Sequence, residues 1–113
     1  MVLSVSERTF TQEVLESSTP VLVDFWAPWC GLCRMIHPLL LEFQSEWGEQ
    51  IKLVRINADE NLKLANTYRL QSLPTLVLLE GGQVVYRFDC FHSREDLRRV
   101  LENVVVHLLP NSA

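Results

Sequence analysis

No uninterrupted apolar stretch in this chain reaches the roughly 20 residues that a membrane-spanning helix needs. The most apolar early segment, "VLVDFWA", is short and carries Asp24. The first ten residues, "MVLSVSERTF", lack a cationic start followed by an apolar run, so no secretory leader is expected and the default location is the cytoplasm. Lysine is scarce: two of the ten cationic residues are lysine and eight are arginine. With a net charge of −4 and no basic block, nucleic acid is excluded as an expected partner. Three cysteines in 113 residues are too few for a disulfide scaffold. Internal repeats, linkers and low-complexity tracts are absent too. What is present is 48% hydrophobic and 21% charged residues, which excludes a disordered chain and suits one domain over residues 1–113.

Hydrophobic periodicity predicts the elements. "SVSERTFTQEVLES" reads as a short helix capped by Ser6, with Val5 stapled to Phe10. "VLVDFWA" after Pro20 reads as a strand buried on both faces. From Gly31 to Trp47 the pattern is helical. Met35, Ile36, Leu39, Leu40, Phe43 and Trp47 share a face, and Pro38 is expected to kink the helix. "IKLVRINA" is a second interior strand and "ENLKLANTYRL" a short helix. "TLVLLE" and "QVVYRFD" are strands joined by Gly81-Gly82, a hairpin signal. Ser93 and Asp96 open a last helix with the stripe Leu97, Val100, Leu101, Val104 and Leu108. Residues 2–5 can add an edge strand. Three long strands alternating with helices predict parallel pairing, with the final hairpin adding an antiparallel strand. The expected fold class is α/β, a three-layer sandwich with a central mixed sheet flanked by helices on both faces.

The chemistry concentrates in "FWAPWCGLC". Cys30 falls where the strand has ended and the helix begins, and Cys33 lies one turn on. Residues three apart on a helix share a face, so the sulfurs can come within disulfide reach. Cys30 sits at the free N–H groups and positive dipole end of the helix, which favour a thiolate, the nucleophilic form. Cys33 lies deeper. The spacing therefore assigns attack to Cys30 and resolution to Cys33. A Cys-x-x-Cys beside a βαβ pattern is a general signature of thiol–disulfide chemistry. The plain alternative is two small buried hydrophobes. A Cys₃His metal site from Cys30, Cys33, His37 and Cys90 lacks a second Cys-x-x-Cys or a paired histidine. No metal is expected, and His37 is expected on the outer side of its helix.

"VLVDFWAPWCGLCRMIHP" closely resembles the active-site segment of thioredoxins, which usually ends in WCGPC. The match continues through "INADEN" and "YRLQSLPTLVLLEGG" and spans about residues 5–108. The resemblance implies the thioredoxin fold, a Cys30–Cys33 redox-active disulfide, and no bound cofactor. It implies that Asp24 is the buried acid behind Cys33, and burial in an apolar strand should raise its pKa. It places Trp26 below the site and Trp29 at its rim. It makes Pro74 a cis-proline, with the backbone before it, at Leu73, pairing with an extended target segment. Targets are proteins with disulfides. A thioredoxin reductase, dependent on NADPH or on ferredoxin, returns the electrons, and the protein is expected to be monomeric.

Three positions depart from that pattern. Leu32 replaces the usual proline after Gly31, keeping a backbone N–H and freeing the first helical turn. In the family the glycine-proline form belongs to strong reductants, so this chain is expected to be less reducing than about −270 mV by a few tens of mV. Arg55 replaces a common lysine. It either pairs with Asp24 or extends outward to solvent. Cys90 stands at or beside a usual glycine and is either a buried small residue or a third functional thiol. Phe91 and His92 are expected to make that rim bulky, and Arg94, Arg98 and Arg99 a solvated helix face. The function expected is protein-disulfide reduction. The rival is a redox-sensing or target-binding module with poor turnover.

Overall fold

The central strand is the apolar run after Pro20, and every other layer is arranged around it. The computed structural model describes residues 2–89 and 91–108. The described elements run β1 (Leu3–Ser4), a π-helical turn (Thr11–Leu15), β2 (Val21–Trp26), α1 (Gly31–Trp47) and β3 (Lys52–Asn57). A 3₁₀ turn (Ala58–Glu60), α2 (Leu62–Thr67), β4 (Thr75–Glu80), β5 (Gln83–Phe88) and α3 (Arg94–Leu108) follow. The sheet order is β1-β3-β2-β4-β5. Val21 to Phe25 are all buried, as a strand covered on both faces requires.

Side chains alternate across the sheet with the period of two. Leu22, Leu53, Leu76 and Leu78 face α1 and α3, meeting Ile36, Leu40 and Leu97. Val23, Phe25, Val54 and Val77 face the opposite layer with Phe10, Val14 and Leu64. The mixed sheet with helices on both faces is the architecture expected.

One expectation about direction fails. β2 and β3 are parallel, but β4 runs antiparallel to β2 rather than parallel. Helix length explains this. α1 has 17 residues, about 25 Å, enough to return the chain along a six-residue strand of about 20 Å. α2 has six residues, about 9 Å. It cannot bring the chain back, so β4 enters the sheet from the end at which β3 left it.

Other differences are local. The N-terminal helix is confined to Thr11–Leu15. Before it, Ser6 Oγ accepts from Arg8 N–H and Thr9 Oγ1 accepts from Ser6 N–H, closing a turn instead of a helical start. Val5 and Phe10 are nonetheless buried in one cluster, as the staple predicts. Met35, expected inside, is 48% exposed. It lies about 100° around the helix from Ile36, on the flank of the buried stripe. α1 continues through Pro38 as one element. At α3, Ser93 Oγ accepts from Asp96 N–H as expected, while the Asp96 carboxylate accepts from His92 N–H, one residue ahead of the usual partner. Gly81 and Gly82 both have positive φ, 61° and 81°, which a two-residue hairpin turn needs.

Leu78 is fully buried between β2 and β5 on the α1 side. Leu78→Ala should cost about 2–5 kcal/mol, read as a lower urea midpoint with an unchanged slope.

Candidate active site

β2 delivers the chain to one end of the sheet, and a tight turn then starts α1. Cys30 N–H donates to the Ala27 carbonyl at 3.1 Å. Arg34 Nη1 reaches back to the Pro28 carbonyl and ties the same turn. Cys30 takes the N-cap position with extended backbone, φ −85° and ψ 106°. Its sulfur accepts the Cys33 N–H at 3.1 Å. The spacing thus puts Cys30 where helix-end N–H groups converge. Cys30 and Cys33 are joined as a disulfide with Cα atoms 5.2 Å apart. Cys30 is 5% exposed and Cys33 fully buried, the order of depth expected. Gly31 is exposed, and a Cβ there would meet only Arg34, at 4.0 Å. Leu32 is half-buried and packs against the core beneath α1.

Sheet register brings the other candidates to this end. Trp26, the last residue of β2, pairs with Asn57, and Phe25 pairs with Thr75. Pro74 therefore sits directly before β4 beside the end of β2. The Leu73–Pro74 bond is cis, as the resemblance implied. Trp29 is 67% exposed, and its indole Nε1 donates to Asp59 Oδ2 at 2.9 Å. Asp59 is in turn held by the Asn57 side chain, which accepts from its N–H. Asp59 was not singled out from the sequence; an acidic residue directly after a strand end was the available signal. Cys90 lies outside the described residues. Phe91, expected at the rim, is instead buried in the core under α1 and α3, while His92 is exposed. The turn into α3 carries the ring inward.

On β2 the sheet presents a polar group to the α1 side. Asp24 is fully buried, and its Oδ2 accepts from Arg55 Nε at 3.2 Å. The two residues are register partners on β2 and β3. Of the two readings of Arg55, the pairing one holds. The Arg55 guanidinium also stacks on Trp26, 4.2 Å from the ring centroid. Burial outweighs this cation and raises the Asp24 pKa from 3.8 to about 6.

His37, expected on the outer side of α1, is only partly exposed, and its Nδ1 is buried. Burial, and then the Arg55 charge, hold its pKa below the usual imidazole range. Among the described residues, no group of three or more His, Cys, Asp or Glu side chains is placed to hold a metal ion. No helix among them is long and apolar enough to cross a membrane.

A family model described as Thioredoxin matches residues 1–103. "Thioredoxin 1" of Synechococcus elongatus is 52% identical over 82 residues, 73% of this chain and 77% of that protein. "Thioredoxin 1" of a Nostoc species is 52% identical over 81 residues, 72% of this chain and 76% of that one. "Bifunctional thioredoxin reductase/thioredoxin" of Mycobacterium leprae is 39% identical over 108 residues, 96% of this chain and 24% of that protein. With a family match across most of its length and relatives this similar, the chain belongs to the thioredoxin family.

Proposed function

We propose that this chain is a protein-disulfide reductase, one thioredoxin-like domain over residues 1–113 working by dithiol–disulfide exchange. The observation that carries the reading is the Cys30–Cys33 disulfide at the start of α1, with Asp24 buried in the strand that leads to it. In the reduced protein the Cys30 thiolate attacks one sulfur of a target disulfide. A Cys30–target disulfide forms and the other target sulfur leaves as a thiolate. Asp24, ionised near neutral pH, takes the proton of the Cys33 thiol. The Cys33 thiolate then attacks Cys30 Sγ, the Cys30–Cys33 disulfide forms, and the target leaves with both sulfurs reduced. Two electrons have passed from the protein to the target. Trp29 and the backbone at Leu73 and Pro74 form the surface that receives an extended target segment.

A thioredoxin reductase, dependent on NADPH or ferredoxin, restores the dithiol. The Mycobacterium leprae relative supports that partner class, because its name joins the two activities in one protein. The disulfide pair is the whole redox group, with no added cofactor or metal, and the protein works as a cytoplasmic monomer.

Leu32 sets the potential. A proline there would have no N–H; leucine adds a second donor to the helix end already facing the Cys30 sulfur. Donors at that sulfur stabilise a thiolate, which exists only in the reduced state. The couple becomes less reducing.

Insulin reduction with dithiothreitol as donor tests the function. Wild type should accelerate it and Cys30→Ser should not. An inactive wild type with accessible thiols would instead indicate a binding module. Equilibration with glutathione should place wild type above about −270 mV, with Leu32→Pro shifting the equilibrium constant about tenfold, or 30 mV, toward the reductant. A wild-type value at or below −270 mV sinks the role given to Leu32.

Asp24 carries a pH signature. Its pKa is higher folded than unfolded, so the native state binds the extra proton. Stability should fall as pH rises from about 4 through about 6 and stay low above it, a cost of at most about 3 kcal/mol. Asp24→Asn should remove most of that slope in urea unfolding. The same variant should reduce insulin at least tenfold more slowly at pH 7, since losing an acid–base group costs about 10²–10⁴-fold in the step it serves.

A further inference from the structure

Three buried side-chain polar atoms among the described residues have no hydrogen-bond partner: Asp24 Oδ1, Trp26 Nε1 and His37 Nδ1. Such atoms are rare, because each costs about 1–3 kcal/mol when left unpaired. All three belong to one neighbourhood. Asp24 and Trp26 are two apart on β2 and so share a sheet face. Arg55 binds the first and stacks on the second, and its charge reaches the imidazole of His37. His37 lies on α1 four residues after Cys33, one helical turn below it on the same flank.

The reduction cycle leaves a proton to be disposed of here. Once Asp24 has taken the Cys33 proton, it is a neutral acid in a fully buried position. Oδ2 faces Arg55, so the unpartnered Oδ1 is the oxygen free to carry the proton. His37 has its Nδ1 buried, while the residue as a whole is partly exposed. Its ring therefore reaches from the interior toward the surface.

We propose that His37 is a proton-relay residue that acts through Asp24, passing the proton of Cys33 from the buried carboxyl to solvent. Neither Asp24 Oδ1 nor His37 Nδ1 has a protein partner, so the proton crosses between them through a bridging water; Nδ1 accepts it, Nε2 releases its own proton to water, and tautomer exchange restores the starting imidazole. No electron moves in this step. Arg55 on β3 acts on the His37 imidazole through its charge and holds Asp24 on β2, the source of the proton; Arg34 on α1 is tied to the Pro28 carbonyl. Burial and the Arg55 charge keep the imidazole neutral at pH 7, ready to accept, and keep the imidazolium short-lived, so the proton moves on. This role rests on the reductase reading for its place in the cycle.

The test isolates the intramolecular step. Pre-reduced protein is mixed in stopped flow with an aromatic disulfide whose thiolate absorbs visible light. The first release reports attack by Cys30, and the second reports attack by Cys33 on the mixed disulfide. In dilute non-nucleophilic buffer at pH 7, His37→Ala should slow the second release about tenfold and leave the first unchanged. Added imidazole should restore most of the loss. His37→Gln, similar in size but unable to carry a proton, should be as slow as His37→Ala. The equilibrium constant against glutathione should stay within twofold in both variants. A second release at the wild-type rate in either variant overturns the proposal, as does a loss that imidazole does not restore. Alanine favours the helix, and far-ultraviolet circular dichroism verifies that the variants are folded. Insulin reduction by wild type is scored separately. Its absence would remove the reductase reading, while the second release would still decide whether His37 moves the proton.

Discussion

The buried pair of Asp24 and Arg55 is the constraint around which the molecule is arranged. A carboxylate inside a strand with apolar neighbours on both sides opposes folding. It is tolerated because parallel pairing sets β3 so that Arg55 lies opposite it. The guanidinium is held by its bond to Asp24 and by the face of Trp26. Even so, burial wins over the cation and raises the acid's pKa to about 6. A hydrophobic residue in β2 would pack the same layer without that penalty. The strand thus gives up stability to carry this group, whose use on the proposed reading is at the end of the sheet where the sulfurs lie.

That end is assembled by register and by helix length. α1 is long enough to return the chain and make β3 parallel to β2. α2 is too short to do so again, and β4 therefore begins at the end where β2 and β3 finish. This reversal puts the cis Leu73–Pro74 peptide beside the end of β2, where the parallel pairing of β2 and β3 has already set Asp59 against Trp29. A parallel β4 would have started at the far end of the sheet. The departure from the expected strand direction is thus what brings the cis-proline segment to the end that already holds the disulfide turn and Asp59.

What could be read beforehand follows from the range of the forces involved. The strand "VLVDFWA", the helix Gly31–Trp47 and the glycine hairpin depend on local pattern, and their limits were visible within a residue or so. Cys30 at a helix start was equally local. The direction of β4 depends on how many residues of "ENLKLANTYRL" become helical, which pattern alone overstates. Met35 and Phe91 were misplaced because each lies at a boundary, one on a helix flank and one at a strand-to-helix turn. Arg55 had two readings until pairing register decided between them. A cis bond before Pro74 has no signature in composition and came only from the resemblance to a family.

Leu32 and His37 lie five residues apart on α1, yet the two proposals give them different kinds of influence. On the proposed reading Leu32 acts through its backbone, adding an N–H donor at the helix end where the Cys33 N–H already meets the Cys30 sulfur. Such a donor distinguishes thiolate from disulfide and therefore shifts an equilibrium. In the proposed relay His37 acts through its side chain, from α1 four residues after Cys33. A relay returns to its starting state after each cycle, so it changes a rate and leaves the equilibrium alone. The helix separates the two, because its first turn exposes backbone groups and its second turn offers only side chains. On the proposed reading, this chain can adjust how far it reduces its targets and how fast it does so by substitutions that do not interfere with each other.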